Sequence, residues 1–284
     1  MQKTGANNFM VRSVARALTI LTSFSWEQQS LSLLEMSKIL EIPKPTVYGL
    51  AATLTRSGFL KQDPFTKRYS LGLKVFELGM LQAETLEFNQ KSFAPAAKLA
   101  RDTGLTCRLG LWDSGTVLVT ATVRPRQKTA SMIQVGPRVP AYCSALGKAV
   151  LANWEPKELK AYLADARLEP FTDSTILKKI DLLKDLEETR VRGYSIDREE
   201  AVWGMACVGA PVYERTGSII GAISLSGAPS RLLQPEKVCR FGQQIIETAR
   251  EISQALGFLP GRPVAAQNHI GTNLSMRVAE AVGD

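Results

Sequence analysis

The chain has 284 residues, 45% of them hydrophobic and 22% charged, which fits one large or two ordinary domains whose core needs no disulfide or metal staple. No run of about 18 apolar residues occurs, so a helical membrane span is excluded, and the first thirty residues lack signal-peptide order, so the cytoplasm is the expected location. A net charge of +8 favours a polyanionic partner without naming one.

Two residue types remove further classes of function. The single histidine, His269, excludes histidine triads, HExxH zinc hydrolases and multi-histidine metal sites. Cys107, Cys143, Cys207 and Cys239 lie more than thirty residues apart and form no CxxC pair, so no metal and no cofactor is expected. The positive charge is concentrated. Lys44, Arg56, Lys61, Lys67, Arg68 and Lys74 stand against Asp63 alone, which is the better signal for nucleic acid.

Residues 1–10 read as a disordered N-terminus. Helical spacing begins at Arg12 with Ser13 as cap and runs to about Phe24 through Val14, Leu18 and Leu21. Ser32 caps a second short helix to about Leu40. Glu41-Ile42-Pro43-Lys44 forms a tight break, and Pro45 suits the first position of a third helix that buries Val47, Leu50, Ala51 and Leu54 and stops at Gly58. Strands at 59–62 and 68–71 around Asp63-Pro64 complete a winged helix-turn-helix over residues 11–72. Residues 73–90 read as a linker helix.

From Thr106 the pattern changes. Strands are expected at 106–112, 116–123 and 131–135, helices at 144–153, 156–163 and 177–192, strands at 205–213 and 218–226, and a closing helix at 235–256. This second domain spans 91–259, and residues 260–284 read as a disordered tail. The fold class is α+β: a winged helix-turn-helix joined by a helix to a second domain of mixed strands and helices.

In a helix-turn-helix the second helix enters the major groove. Here it presents Thr46, Gly49 and Thr53 outward, with Tyr48 on the flank. Lys44 precedes the helix, where backbone N–H groups also favour phosphate, and Pro45 opens it. Lys67 and Arg68 at the hairpin tip suit backbone or minor-groove contact. The competing reading is a small protein-interaction module. A single winged module binds weakly, so two copies on paired half-sites of double-stranded DNA are implied.

The second domain offers one anion seat. Ser144 begins a helix, which leaves the N–H groups of Ala145 and Leu146 available to a carboxylate. Ser224 and Ser226 share a strand face, Met205 and Cys207 share another, and Asp197 can accept a proton from a ligand hydroxyl. Each has a plainer reading: Ser144 as a cap, Cys207 as a small core residue, the serines as bonded interior groups. Other signals fail. Gly147-Lys148 is followed by Ala149 where a phosphate loop needs Ser or Thr, and Ser144 and Lys148 are four apart rather than the three of SxxK enzymes. Lys148 reads as a surface charge or one standing behind the site, and Glu199-Glu200 as solvated loop charges.

Ile42-Pro43-Lys44-Pro45-Thr46-Val47-Tyr48, Gly58-Phe59-Leu60 and Arg68-Tyr69-Ser70-Leu71-Gly72 resemble the DNA module of the isocitrate-lyase-regulator (IclR) family of bacterial transcriptional regulators. Ser144-Ala145-Leu146-Gly147-Lys148-Ala149, Arg192-Gly193-Tyr194-Ser195 with Asp197, Glu199 and Glu200, and Ile223-Ser224-Leu225-Ser226-Gly227 are similar to its second domain. The resemblance covers nearly all of 11–257. It implies a dimer or tetramer, a GAF-like effector domain, and a small organic acid or aromatic catabolite that shifts DNA affinity. It also implies that Ala145, Leu146, Asp197, Met205, Cys207, Ser224 and Ser226 line the ligand site. Pro45 and Gly49 depart from the family, where Ser and often Arg stand, so the base code does not transfer. The alternative is a small-acid hydrolase using Cys207 or Ser144, with only Asp, Lys or Glu to activate it.

Overall fold

The computed structural model describes residues 10–126 and 138–259. The strand expected at 131–135, the order of residues 1–9 and 260–284, and His269 lie outside the described residues. The chain divides into two compact units between Gln82 and Ala83.

The N-terminal unit packs α1 (Arg12–Thr22), α2 (Leu33–Leu40) and α3 (Lys44–Arg56) with the hairpin β1 (Leu60–Gln62) and β2 (Tyr69–Leu71). Ile20, Leu31, Met36, Leu40, Val47, Ala51, Leu54, Leu60 and Tyr69 form its core. A capping box starts α2. Ser32 Oγ accepts from the Glu35 N–H at 3.2 Å, and Glu35 returns its Oε2 to the Ser32 N–H at 2.6 Å. Replacing Ser32 with alanine should therefore cost about 1 kcal/mol of stability, read as a lower urea midpoint at unchanged slope. At α1 the expectation fails: Val11 is the cap residue, no side chain caps the helix, and Ser13 lies inside it. Glu41 ends α2 with a left-handed φ of 54°, and Pro43 caps α3 so that Lys44 and Pro45 fill its first turn.

The linker helix is shorter than its apolar pattern implies. α4 (Leu73–Thr85) ends before Leu86, whose extended backbone caps a separate helix, α5 (Glu87–Thr103). Phe88, Ala96, Leu99 and Ala100 place α5 in the core of the C-terminal unit. Its alanine-rich apolar face and internal Pro95 hide it from a periodicity search.

The C-terminal unit continues with β3 (Thr106–Asp113), β4 (Thr116–Val123), β5 (Arg138–Pro140), α6 (Ala145–Leu151), α7 (Pro156–Asp165), α8 (Lys179–Arg192), β6 (Ser195–Arg198), β7 (Ala206–Tyr213), β8 (Ile219–Gly227), α9 (Pro229–Leu232) and α10 (Pro235–Ala255). Among the described residues six strands form one sheet in the order β5-β4-β3-β8-β7-β6, every pairing antiparallel. Side chains alternate between its faces. One face, with Leu109, Ala121, Ile196, Val208, Ile223 and Leu225, packs on α5 and α10 through Leu99, Phe241, Ile245 and Ile252. The other meets α6, where Val119 and Ala222 join Leu146, Ala149, Val150, Leu182 and Leu186. This second face carries the polar residues.

Candidate functional site

On α3 the residues facing the core are Val47, Ala51 and Leu54, which leaves Lys44, Pro45, Thr46, Tyr48, Gly49 and Thr53 exposed on the opposite side. The helix carries no acidic residue, and exposed Arg56 extends the face by one turn. Thr53 Oγ1 donates to the Gly49 carbonyl at 2.8 Å. A Cβ at Gly49 would meet nothing within 4 Å, so packing does not demand glycine there.

The hairpin tip separates two residues that the sequence pairs. Lys67 is exposed in a turn built on Asp63, whose carboxylate accepts from the N–H groups of Phe65 and Thr66 at 3.0 and 2.6 Å. Arg68 turns inward instead. Its Nε donates to Ser30 Oγ and its Nη2 to Glu35 Oε2, both at 2.9 Å. The Ser32 N–H and hydroxyl and the Arg68 guanidinium together hold the Glu35 carboxyl down at about 2. Arg68 thus clamps the wing to the start of α2.

In the C-terminal unit, register brings the expected residues together. Asp197 pairs with Cys207 and Cys207 with Ser226, while Gly209 pairs with Ser224 and Ser224 with Arg108. Cross-strand partners share a face, so Asp197, Cys207, Ser224 and Ser226 all point to the side covered by α6. The start of α6 lies directly on this row. Ser195 Oγ donates to the Ala145 carbonyl at 2.6 Å, and a Cβ on Gly209 would stand 2.7 Å from that same oxygen. Only glycine permits the approach.

Ser144 is the cap of α6: its Oγ accepts from the Gly147 N–H at 3.2 Å and donates to the Pro140 carbonyl at 2.7 Å. The N–H groups of Ala145 and Leu146, one turn earlier than any intrahelical acceptor, stay available by geometry. Met205 sits one residue before β7 rather than within it, its N–H bonded to Val202 O at 3.2 Å.

The Cys207 thiol lies 3.2 Å from Ser226 Oγ and also touches Asp197. Burial pushes it up to about 12, and the Asp197 charge adds to this. Asp197 is 1% exposed, and burial raises its carboxyl to about 7. The Glu200 N–H donated to its Oδ1 at 2.7 Å opposes the rise, the Glu200 charge assists it, and Lys148 opposes it.

Two charges are misplaced by the sequence reading. Lys148 is fully buried, and its Nζ stands 2.6 Å from Glu200 Oε1 and 2.9 Å from Asp185 Oδ2. Glu200, 2% exposed, is no solvated loop residue. It lies two residues beyond the end of β6, after Glu199 with a left-handed φ of 62°, so strand alternation does not apply to it. Arg108 is a further residue that sequence reasoning missed: its Nη1 donates to Ser226 Oγ and lies 3.5 Å from Met205 Sδ. Its place on β3, opposite Ser224, follows only from strand order.

Residues 13–64 match the IclR helix-turn-helix domain and residues 83–254 the bacterial transcriptional regulator IclR C-terminal domain. The chain is 31% identical over 249 residues to the HTH-type transcriptional regulator XynR of Escherichia coli K12, covering 88% of this chain and 98% of XynR. The crystal structure of IclR from Thermotoga maritima aligns at 28% identity and a TM-score of 0.63, over 87% of this chain and 98% of that one. An IclR homologue from Microbacterium hydrocarbonoxydans, solved with 4-hydroxybenzoate, shares the fold at 17% identity and a TM-score of 0.70, over 86% of this chain and 98% of that one.

A winged helix-turn-helix ahead of a separate mixed domain, with relatives named as regulators, defines a DNA-binding transcriptional regulator. The chain belongs to the IclR family. The hydrolase alternative falls with this: the relatives are regulators, and a Cys207 thiol raised to about 12 is a poor nucleophile near neutral pH. Among the described residues no cluster suited to a metal occurs, and no helix is long and apolar enough to cross a membrane.

Proposed function

We propose that the C-terminal unit is a GAF-like sensor of a small carboxylate, bound by the N–H groups of Ala145 and Leu146 and by Asp197, Met205, Cys207, Ser224 and Ser226. Binding shifts the affinity of the winged module for operator DNA. The observation that carries this is the buried polar row on the α6 face, where Asp197, Cys207, Ser224 and Ser226 share one side of the sheet with Arg108. A cluster of polar side chains converging on one face beside a helix start suits a ligand with oxygen at its edge.

On DNA, Lys44, Pro45, Thr46, Tyr48, Gly49 and Thr53 face the major groove, and Lys67 approaches a phosphate. Arg68 supports the wing from behind. The working form is a dimer or tetramer in the cytoplasm. Val14 and Leu18 on α1, and Leu73, Phe76 and Leu81 on α4, leave apolar side chains exposed that a second copy would cover. Two modules then engage half-sites about one helical turn apart.

Promoter-fragment titrations test both halves. Binding should weaken with salt at a log–log slope near −0.9 per neutralised phosphate. A carboxylate effector should move the affinity by about 5- to 150-fold. The Ser224→Ala/Ser226→Ala variant should keep basal DNA binding and lose that shift. An unchanged shift in the variant refutes the site.

A further inference from the structure

Resting on this reading of the site, we propose that Arg108 is the specificity-determining cation. Its guanidinium seats the effector's carboxylate, and the uncharged polar end of the same molecule faces Asp197.

Arg108 stands opposite Ser224 on the α6 face and reaches along it to Ser226. Only Nη1 is engaged, by Ser226 Oγ and Met205 Sδ, and among the described residues no carboxylate pairs with the guanidinium. Two other arginines of this unit, exposed Arg190 and half-buried Arg192, are occupied. Arg190 donates to the carbonyls of Ala152 and Trp154 at 2.7 and 3.0 Å. Arg192 donates to the Tyr194 carbonyl at 2.6 Å and faces Asp185 and Glu188. Arg108 therefore presents a planar fork with donors to spare beside three sheet residues already assigned to the ligand, and such a fork matches a carboxylate.

Charge sets the orientation. From Ser226 the row runs through Cys207 to Asp197, with Glu200 bonded behind it. An anion placed at the Asp197 end would face two carboxyl groups. At the Arg108 end it meets a cation and a serine hydroxyl. Ser226 and Asp197 lie two strands apart, roughly 10 Å between backbones, a span that suits a short-chain or single-ring acid carrying a hydroxyl or oxo group.

The test is calorimetric titration of the full chain with lactate, pyruvate, benzoate and 4-hydroxybenzoate, and with the amide of each. At least one acid should bind, about 30-fold more tightly than its amide, a difference of about 2 kcal/mol. Arg108→Gln should bring the acid down to the amide's affinity and leave the amide unchanged. Arg108→Lys keeps charge and stem without the fork, and should lose about tenfold; it serves as well if the glutamine variant folds poorly. Equal binding of acid and amide, full acid affinity in both variants, or binding of none of the four acids overturns the assignment. Acid binding kept in Arg108→Gln but lost in Ser224→Ala/Ser226→Ala leaves the site standing and removes Arg108 from it. Binding kept in all of these variants removes the site itself.

Discussion

Replacing Lys148 with alanine is expected to destabilise the C-terminal unit by about 3–5 kcal/mol, the cost of leaving buried charge uncompensated. Lys148 has no exposed surface, and its ammonium group faces Glu200 at 2.6 Å and Asp185 at 2.9 Å. Only the Glu200 contact is a directed hydrogen bond; the Asp185 contact is a charge pair off the bonding direction. Glu200 Oε2 has no hydrogen-bond partner among the described residues, so Lys148 carries most of the compensation for that carboxylate. Arg192 and Arg198 stand 3.9 and 3.6 Å from Asp185 Oδ1 and shield it in part, so the larger share of the loss belongs to Glu200.

Two further variants separate charge from packing. Lys148→Met retains the stem and should still lose most of the stability. Lys148→Met combined with Asp185→Asn and Glu200→Gln removes the uncompensated charges and should recover most of it, as replaced buried ion networks commonly do. Urea unfolding at pH 7, followed through tryptophan fluorescence, reads all three. A Lys148→Ala midpoint indistinguishable from the parent would show that the network contributes nothing.

This triad also marks where the sequence stops being legible. Lys148 lies in a seven-residue helix whose every side chain is buried, and nothing in Ala145-Leu146-Gly147-Lys148-Ala149 distinguishes a buried lysine from a solvated one. Its partners come from 37 and 52 positions downstream, on α8 and after β6. The N-terminal unit reads far better, because its signals are local: the Ser32–Glu35 capping box, Pro45 at a helix start and the core spacing of Val47, Ala51 and Leu54. Arg68 is the exception there, since its inward turn depends on Glu35, 33 positions away.

In the C-terminal unit the long strands β7 and β8 announce themselves by alternation and length. β6 has four residues and β5 three, too few for a period. Without β6 the placement of Asp197 beside Cys207 cannot be read from spacing, and without the β3–β8 pairing Arg108 looks like any surface arginine. The expected ligand residues were reachable through the family resemblance and the shared face of Ser224 and Ser226. Arg108 required the sheet order.

Asp197 should make the unit's stability fall as pH rises, opposite in sign to an ordinary ion-paired aspartate. Its carboxyl is held at about 7, against an ordinary value of 3.8, mainly because burial penalises the charged form. The folded state therefore binds this proton more tightly than the unfolded chain does. The stabilisation is complete below about pH 4 and is lost as pH rises through about 7. Three units at about 1.4 kcal/mol each set an upper limit of about 4 kcal/mol between those limits. Glu200, also raised by burial, acts in the same direction, while Lys148 restrains it.

Asp197→Asn mimics the protonated carboxyl and preserves the oxygen that accepts from the Glu200 N–H. The variant should exceed the parent by no more than about 1 kcal/mol at pH 4.5 and by about 2–4 kcal/mol at pH 8.5. The same proton bears on ligand binding. An ionised Asp197 repels an incoming carboxylate, so acid affinity in the parent should decline from pH 6 to pH 8, while in Asp197→Asn it should stay nearly level. Urea midpoints and calorimetric affinities across that range measure both slopes. A parent that gains stability with rising pH relative to the variant would mean that Asp197 is ionised in the folded protein throughout, and that its partners outweigh its burial.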